Sequence, residues 1–370
     1  MSSLRLLPAV IAALAAILLA AAIPAAAQQT PKPPIRGLIS MGAYHFVGAG
    51  GQPMNTLKEI RAKPGVFGGI VLVASWQQLQ PVANGPLRSV VIDNFLAQVR
   101  VYNSHHPERP LGIKLRVWNG FMAPNWAKNI GGAPIDVIEH KGEKNEKHRT
   151  LGRFWTPAYR AAYANLQNML AAKYDSEPLI QEVSITQCMA LTAEPFVVST
   201  AQGVMNRLRA HGFTDAQYRD CLENAVSDYS AWKQSRLVLS VNPLHLVNKP
   251  TAHNPQFTEK VMRACRAAIG VRCVLDNHDL TVAALVPNSL KPIYAAMQKM
   301  GPEIEFQTAN ETPANFPGTI QYGVALGASA IELYQDFPTQ GFPPIPVATL
   351  QLWASWLMQN TGGPPSRGGR

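Results

Sequence analysis

Short apolar runs recur along the chain at residues 38–44, 69–76, 111–118, 182–188, 236–242, 272–277, 303–308 and 330–334. Each is bounded by turn signals or by a segment with helical spacing, so each reads as a strand. Most are continuous rather than alternating, as expected of strands buried on both faces of a parallel sheet. Helical spacing fills the intervals at 90–103, 158–174, 214–232, 258–269, 290–300 and 347–359. Thr156-Pro157 gives the second of these an N-cap and a proline in its first turn. Alternation of strand and helix over most of the chain predicts an α/β fold. Eight strands favour a (β/α)8 TIM barrel, a single domain over 35–360, rather than a doubly wound sheet of about five to seven strands. The doubly wound sheet would also place a glycine-rich phosphate loop after its first strand. Gly48-Ala49-Gly50-Gly51 is close in composition, but Gln52-Pro53 follows where a helix should open. In a barrel, the loops after the strands form the mouth where chemistry sits. The connection 119–155 is much the longest of them, which predicts a lid or a subsite wall.

The first 27 residues stand apart. Arg5 is their only charge, an Ala/Leu/Ile-rich run fills 8–23, and Ala25-Ala26-Ala27 offers a small-residue cleavage pattern. This predicts a secretory signal peptide at 1–27 and a secreted or periplasmic protein. The run is short for a membrane anchor and no later window would span a bilayer, so no membrane partner is expected after cleavage. Residues 28–34 and 361–370, rich in Pro, Gln and Gly, are expected to be disordered tails. The formal charge is +10, and loss of Arg5 with the leader leaves +9. The basic residues are scattered apart from the mixed run 140–149, which reads as a solvated loop, so nucleic acid is not an expected partner. Export permits disulfides. Cys265 and Cys273 flank a short helix-to-strand connection suited to pairing, which would leave Cys188 with Cys221. Three connectivities remain open on sequence alone, and the spacing is not that of a zinc site.

Candidate chemistry gathers at the expected mouth. Glu194 follows the fourth strand, where its alternative role is a helix N-terminal charge. Cleaving a glycosidic bond takes a second carboxylate in a different electrostatic environment. Glu305 lies on the seventh strand, on the same alternating face as Gln307; Glu311 follows that strand; Glu332 lies on the eighth, across the barrel from the fourth. A charge in an apolar strand is costly unless used or paired, so Glu305 and Glu332 are more telling than Glu311. Trp76 and Trp118 end the second and third strands, and Trp126 and Trp155 lie in or beside the long connection, so all four fall at the expected mouth, where an aromatic face suits a sugar ring or simply caps the core. Asp276-Asn277-His278-Asp279 ends the sixth strand and reads as a set of hydroxyl contacts, a metal set or a capped turn. No metal and no cofactor is predicted. His45, Asn242 and Tyr334 are further strand-end candidates to line a cleft. No Gly-x-Ser-x-Gly elbow is present, which argues against esterase or protease chemistry.

Trp76-Gln77-Gln78-Leu79-Gln80-Pro81 resembles the segment after the second strand of clan A glycoside hydrolases, the cellulase-like and bacterial β-galactosidase-like retaining barrels. Glu194-Pro195 is similar to the turn that carries their acid/base after the fourth strand. Ala193 stands where they carry Asn, Glu194 sits several residues beyond the strand, and Gln307 is near the position of their nucleophile. The resemblance implies a glycoside hydrolase acting on an oligo- or polysaccharide with a pair of glutamates. Glu194 would be the acid/base and Glu332 or Glu305 the nucleophile. Trp76, Trp118, Trp126 and Asn277 would hold the sugar. A carbohydrate-binding barrel without activity is the alternative.

Overall fold

The computed structural model describes residues 30–43, 57–139, 144, 146–197, 202–308, 312, 314–333 and 345–360. The leader 1–27, the tail 361–370, His45, Glu311 and Tyr334 lie outside these residues.

The strands are β1 (Gly37–Ala43), β2 (Phe67–Ser75), β3 (Gly112–Trp118), β4 (Ile135–Glu139), β5 (Lys147–Leu151), β6 (Ile180–Ser184), β7 (Arg236–Ser240), β8 (Leu244–His245), β9 (His253–Asn254), β10 (Cys273–Asn277), β11 (Ile304–Gln307) and β12 (Ala328–Leu333). The helices are α1 (Leu57–Arg61), α2 (Trp76–Leu79), α3 (Val90–His105), α4 (Asn125–Lys128), α5 (Pro157–Tyr174), α6 (Gln202–Ala210), α7 (Asp215–Asn224), α8 (Pro255–Ile269), α9 (Lys291–Lys299), α10 (Phe316–Ala325) and α11 (Val347–Gln359).

Eight strands form a closed barrel in the order β1-β12-β11-β10-β7-β6-β3-β2. Every pairing is parallel, and β1 closes on β12 with Gly37 beside Ala330 and Ser40 beside Leu333. This is the (β/α)8 architecture that the alternation of elements predicted. The fourth barrel strand ends at Ser184 rather than at 188, because the chain turns away there. Ile185 N–H still reaches Val238 O at 2.8 Å, but Thr186 N–H turns to the Tyr229 hydroxyl at 2.9 Å. The helical run expected at 214–232 is α7 followed by one 3-10 turn, Ser227–Tyr229.

Two departures matter for the mouth. The connection 119–155 holds α4 and the antiparallel hairpin β4–β5, so the run 140–149 is not wholly a solvated loop. The helices α6 and α10 also fill gaps that the apolar periodicity did not define as helices.

The lumen is divided. Ile35, Ile39, Met41, Val71, Val73, Trp118, Met189, Ala193 and Ala330 form an apolar cluster of their own inside the barrel. Lys114, Arg116, Glu182, Asp276, Glu305 and Glu332 fill the rest and are all buried. The floor is closed by the segment before β1. Lys32 donates to the carbonyls of Glu177 at 2.7 Å and Ile180 at 2.8 Å and to Ser235 Oγ at 2.9 Å, while Ile35 N–H donates to Glu182 Oε1 at 2.9 Å. Disulfides join Cys188 to Cys221 and Cys265 to Cys273, the pairing that the spacing suggested. Among the described residues, no helix is long and apolar enough to cross a membrane.

Candidate active site

The loop that carries Glu194 is fixed from several sides. Thr186 Oγ1 lies 2.5 Å from Val117 O and 2.7 Å from the Tyr163 hydroxyl. Cys188 is bonded to Cys221 on α7. Phe121 N–H donates to Ala190 O at 3.1 Å. Gly120, at φ +52°, allows this approach, since a Cβ there would stand 2.2 Å from Ala190 O. Val197 N–H ends the loop on the Tyr218 hydroxyl.

So held, Glu194 is buried and meets His278, the residue after β10. His278 Nδ1 lies 2.7 Å from Glu194 Oε1. The other ring nitrogen, Nε2, lies 3.0 Å from Asp276 Oδ2 and 3.0 Å from Ser240 Oγ. Burial alone would lower the imidazole pKa, but Asp276 and Glu194 on its two sides raise it to about 10. His278 is therefore an imidazolium at neutral pH, clamped between two carboxylates. Burial would raise the Glu194 carboxyl; His278 outweighs it and holds the group below its ordinary value. Asp276 is depressed in the same way.

Glu332 lies one step further in. Arg116 Nη2 donates to both its oxygens, at 2.7 and 2.9 Å. Lys114 Nζ reaches Oε1 at 2.7 Å, and Gln307 Nε2 reaches Oε2 at 2.7 Å. Against the effect of burial, Arg116 and Lys114 hold this carboxyl far below the usual carboxylate range. Glu305 differs. Burial and then Glu182 push its carboxyl well above the ordinary value, although Lys114 is bonded to it. The lumen thus holds carboxyls of opposite character: Glu332 is held far below its ordinary value and Glu305 is pushed well above it.

The aromatic candidates separate. Trp76 is fully buried between barrel and helices, edge-on to Trp126, Tyr159 and Tyr163, and presents no ring face to a ligand. Trp126 packs half-buried on that core and donates Nε1–H to Gln80 O at 3.0 Å. Trp155 packs against Phe154 and Phe213 in the outer core. Trp118 alone of the four belongs to the lumen cluster, beside Met189 and Ala193. Asn277 is spent on neighbouring protein groups. Its amide donates to Val241 O at 2.7 Å, and its carbonyl accepts from Asp279 N–H and the Tyr294 hydroxyl. Asn242 accepts from that same amide at 3.1 Å.

Lys114, Arg116 and Ser240 were not among the sequence candidates. The signal was present. Lys114 and Arg116 alternate with Ile113, Leu115 and Val117 inside an apolar strand, and the cost of charge there applies to cations as it does to Glu305 and Glu332. Asp276, His278 and Glu332 each bring one possible ligand atom within 4.8 Å of the others. Arg116 and Lys114 already hold Glu332, and the His278 ring is shared by Asp276 and Glu194. The donor set is therefore matched by the protein's own cations and does not fit a metal ion.

No protein-family model matches the chain, and no curated protein matches it by sequence. Solved structures do match. The catalytic domain of a β-amylase from Paenibacillus polymyxa superposes with a TM-score of 0.50 at 12% identity, over 88% of this chain and 98% of that one. That likeness is one of fold. An endo-β-1,4-glucanase from Xanthomonas axonopodis pv. citri gives 0.49 at 12% identity, over 86% of this chain and 99% of that one. Endo-glycoceramidase II from Rhodococcus sp. gives 0.45 at 14% identity, over 87% and 77%.

Proposed function

We propose that the protein is a glycoside hydrolase that cleaves O-glycosidic bonds at the C-terminal mouth of its barrel. One observation carries the reading: a loop carboxylate, Glu194, lies 2.7 Å from His278 Nδ1, and a strand carboxylate, Glu332, brings an oxygen within 4.8 Å of the same imidazolium. Glu332 stays ionised through Arg116 and Lys114, which suits the group that faces the developing positive charge of the sugar. Glu194 takes the acid/base role. In the free protein its proton resides on His278 Nδ1, 2.7 Å away, so the pair delivers one proton to the leaving oxygen and recovers it from water. Retention of configuration is the expected outcome. Glu305, deeper and bonded to Lys114, serves the interior charge balance. Trp118 is the wall for a sugar ring; Trp76 and Asn277 serve as packing and turn residues. The proposal includes export, with 1–27 removed, 35–360 forming the barrel and the two disulfides closing outside the cytoplasm.

The test is hydrolysis of a panel of aryl glycosides and oligosaccharides, with product configuration followed by proton NMR. Glu194→Gln should lower the rate by roughly 10²–10⁴-fold, as loss of a general acid does. Full activity in that variant would sink the assignment.

One observation favours a second reading, a sugar-binding barrel without turnover. Arg116, Lys114 and Gln307 already occupy both oxygens of Glu332, and Gln307 stands near the position of the clan's nucleophile. Glycan binding without hydrolysis across the panel would select this reading.

A further inference from the structure

The connection from β7 to α8 folds into the short hairpin β8–β9, on the C-terminal face of the barrel. The hairpin is tied to the helices beside it. Leu244 N–H donates to Thr258 Oγ1 on α8 at 3.1 Å, and Val247 N–H donates to Asp215 Oδ1 on α7 at 2.6 Å. His245 and His253, eight residues apart in sequence, are direct cross-strand partners. Beside them Leu246 N–H reaches Ala252 O at 3.1 Å, so 246 and 252 form the hydrogen-bonded pair and the two histidines a non-hydrogen-bonded one. Facing side chains stand closest in a pair of that kind. Here the ring centres are 4.4 Å apart and the planes are inclined at 58°.

The His245 ring is already oriented. Its Nδ1 lies 2.7 Å from Pro250 O, and a carbonyl only accepts, so the proton sits on Nδ1 and the neutral ring keeps its lone pair on Nε2. This is the bond that fixes the tautomer of a metal-ligating imidazole. His245 is half-buried and His253 exposed, so an ion from solvent reaches the pair without opening the fold. Two imidazoles on one ion, each nitrogen about 2.0–2.1 Å from it, place their ring centres about 4.5–5 Å apart. The observed separation is a small side-chain rotation from that arrangement. Lys249 is the hairpin's only cation, an exposed turn residue. Among the described residues no cluster of three or more His, Cys, Asp or Glu includes this pair, so water or another oxygen ligand has to complete the coordination.

We infer that His245 and His253 form a surface site for a divalent transition-metal ion, Zn²⁺ or Cu²⁺, held between the two strands with its remaining positions open to water or an oxygen ligand. Imidazole nitrogen suits these ions, whereas Mg²⁺ and Ca²⁺ take oxygen. The lumen cluster of Asp276, His278 and Glu332 is a separate place, where the protein's own cations meet the donors. The hairpin site requires no particular chemistry at Glu194 or Glu332, so it stands or falls apart from the proposed hydrolysis. A plain cross-strand contact between the two rings is the competing role, and it involves no ion.

Metal titration tests it. Untagged protein, cleared of metal with a chelator and dialysed, is titrated calorimetrically at neutral pH with zinc chloride, and in parallel with copper(II) and magnesium chlorides. One Zn²⁺ should bind per chain, Cu²⁺ should bind more tightly, and Mg²⁺ should give no heat at this site. His245→Asn and His253→Asn should each weaken Zn²⁺ binding by about 100-fold, since loss of a partner one shell further out already costs about 10–100-fold. His211→Asn, which removes an exposed histidine after α6, should bind as the wild type does. Circular dichroism in metal-free buffer shows whether each variant is folded. Should either hairpin variant fail to fold, nitrogen NMR of the histidine rings in the wild type decides instead: Zn²⁺ should shift two of the nine ring signals, and any other number overturns the site. Absence of Zn²⁺ binding, or binding that survives both substitutions together, overturns the inference.

Discussion

Arg116→Met probes the interior network most directly. Arg116 and Glu332 are both fully buried, and the guanidinium contacts both carboxylate oxygens at 2.7 and 2.9 Å. Removing one member of a buried pair typically costs about 3–5 kcal/mol, because the remaining charge is left desolvated. Lys114 and Gln307 still hold Glu332 after the substitution, so the lower end applies and about 3 kcal/mol is expected at pH 7. Glu332→Gln should be costly for the complementary reason. The double variant should cost less than the sum of the two, by about 2 kcal/mol, within the range seen for contacting residues. Urea unfolding followed by tryptophan fluorescence reads all four proteins. The sign with pH is fixed. The folded carboxyl of Glu332 is depressed, so the stability it contributes is present above the unfolded value and is lost as pH falls towards the folded one. In Arg116→Met the carboxyl rises, and its penalty should shrink on acidification as Glu332 takes up a proton. A cost below about 1 kcal/mol, or strict additivity in the double variant, would refute the network as described.

The clamp on His278 makes a second prediction. Its folded pKa of about 10 exceeds the ordinary 6.5, so its contribution is complete below about pH 6.5 and is lost as pH rises through 10. Between pH 7 and 10 the wild type should lose more Tm than His278→Gln, and equal losses would remove the clamp. Trp76→Ala should destabilise by about 3–5 kcal/mol, as a large buried side chain does, whereas Trp118→Ala should weaken glycan binding more than folding. Urea midpoints beside titrations decide this, and the reverse pattern would exchange their roles. For the disulfides, chain-entropy scaling gives about 3.7 kcal/mol for Cys188–Cys221 with its 33-residue separation and about 2.5 kcal/mol for Cys265–Cys273 with 8. Paired Cys→Ser variants check the order, and only the first pair should also lower activity, since it anchors the Glu194 loop.

The barrel was legible because its strands are buried on both faces and stand out as apolar runs. The elements that escaped were those held by packing rather than by local preference. α10 begins with Phe316-Pro317-Gly318 and contains Gly323, a poor helix sequence on propensity. Gly323 earns its place through contact, since a Cβ there would meet Ile331 at 2.8 Å and Leu280 at 3.0 Å. The hairpin β4–β5 has one exposed, charged strand whose polar residues masked its pairing. At the site, Glu194, Glu305 and Glu332 were visible as carboxylates near strand ends. The partners of Glu305 and Glu332 were not, because Lys114 and Arg116 counter them from β3, with Lys114 lying 191 residues before Glu305. Trp76 and Trp118 look alike in sequence, each beside a strand end, yet one faces the helices and the other the lumen. Strand parity alone would have distinguished them: Trp118 is in register with Lys114 and Arg116 on the inner face, while Trp76 opens a helix.

The seam between β1 and β12 governs how the chain is made. The barrel closes only when Gly37 meets Ala330, so the first strand waits for nearly the whole polypeptide before it gains its second neighbour. The floor is equally remote in sequence, with Lys32 anchored 148 residues away at Ile180 and 203 away at Ser235. Contacts of such long reach are formed late and slowly, because the loop they close must be ordered first. A nascent chain of this topology stays open until its last third has emerged. On the export proposed for this chain, that delay would keep it in a form a translocation channel accepts, with folding completed on the far side.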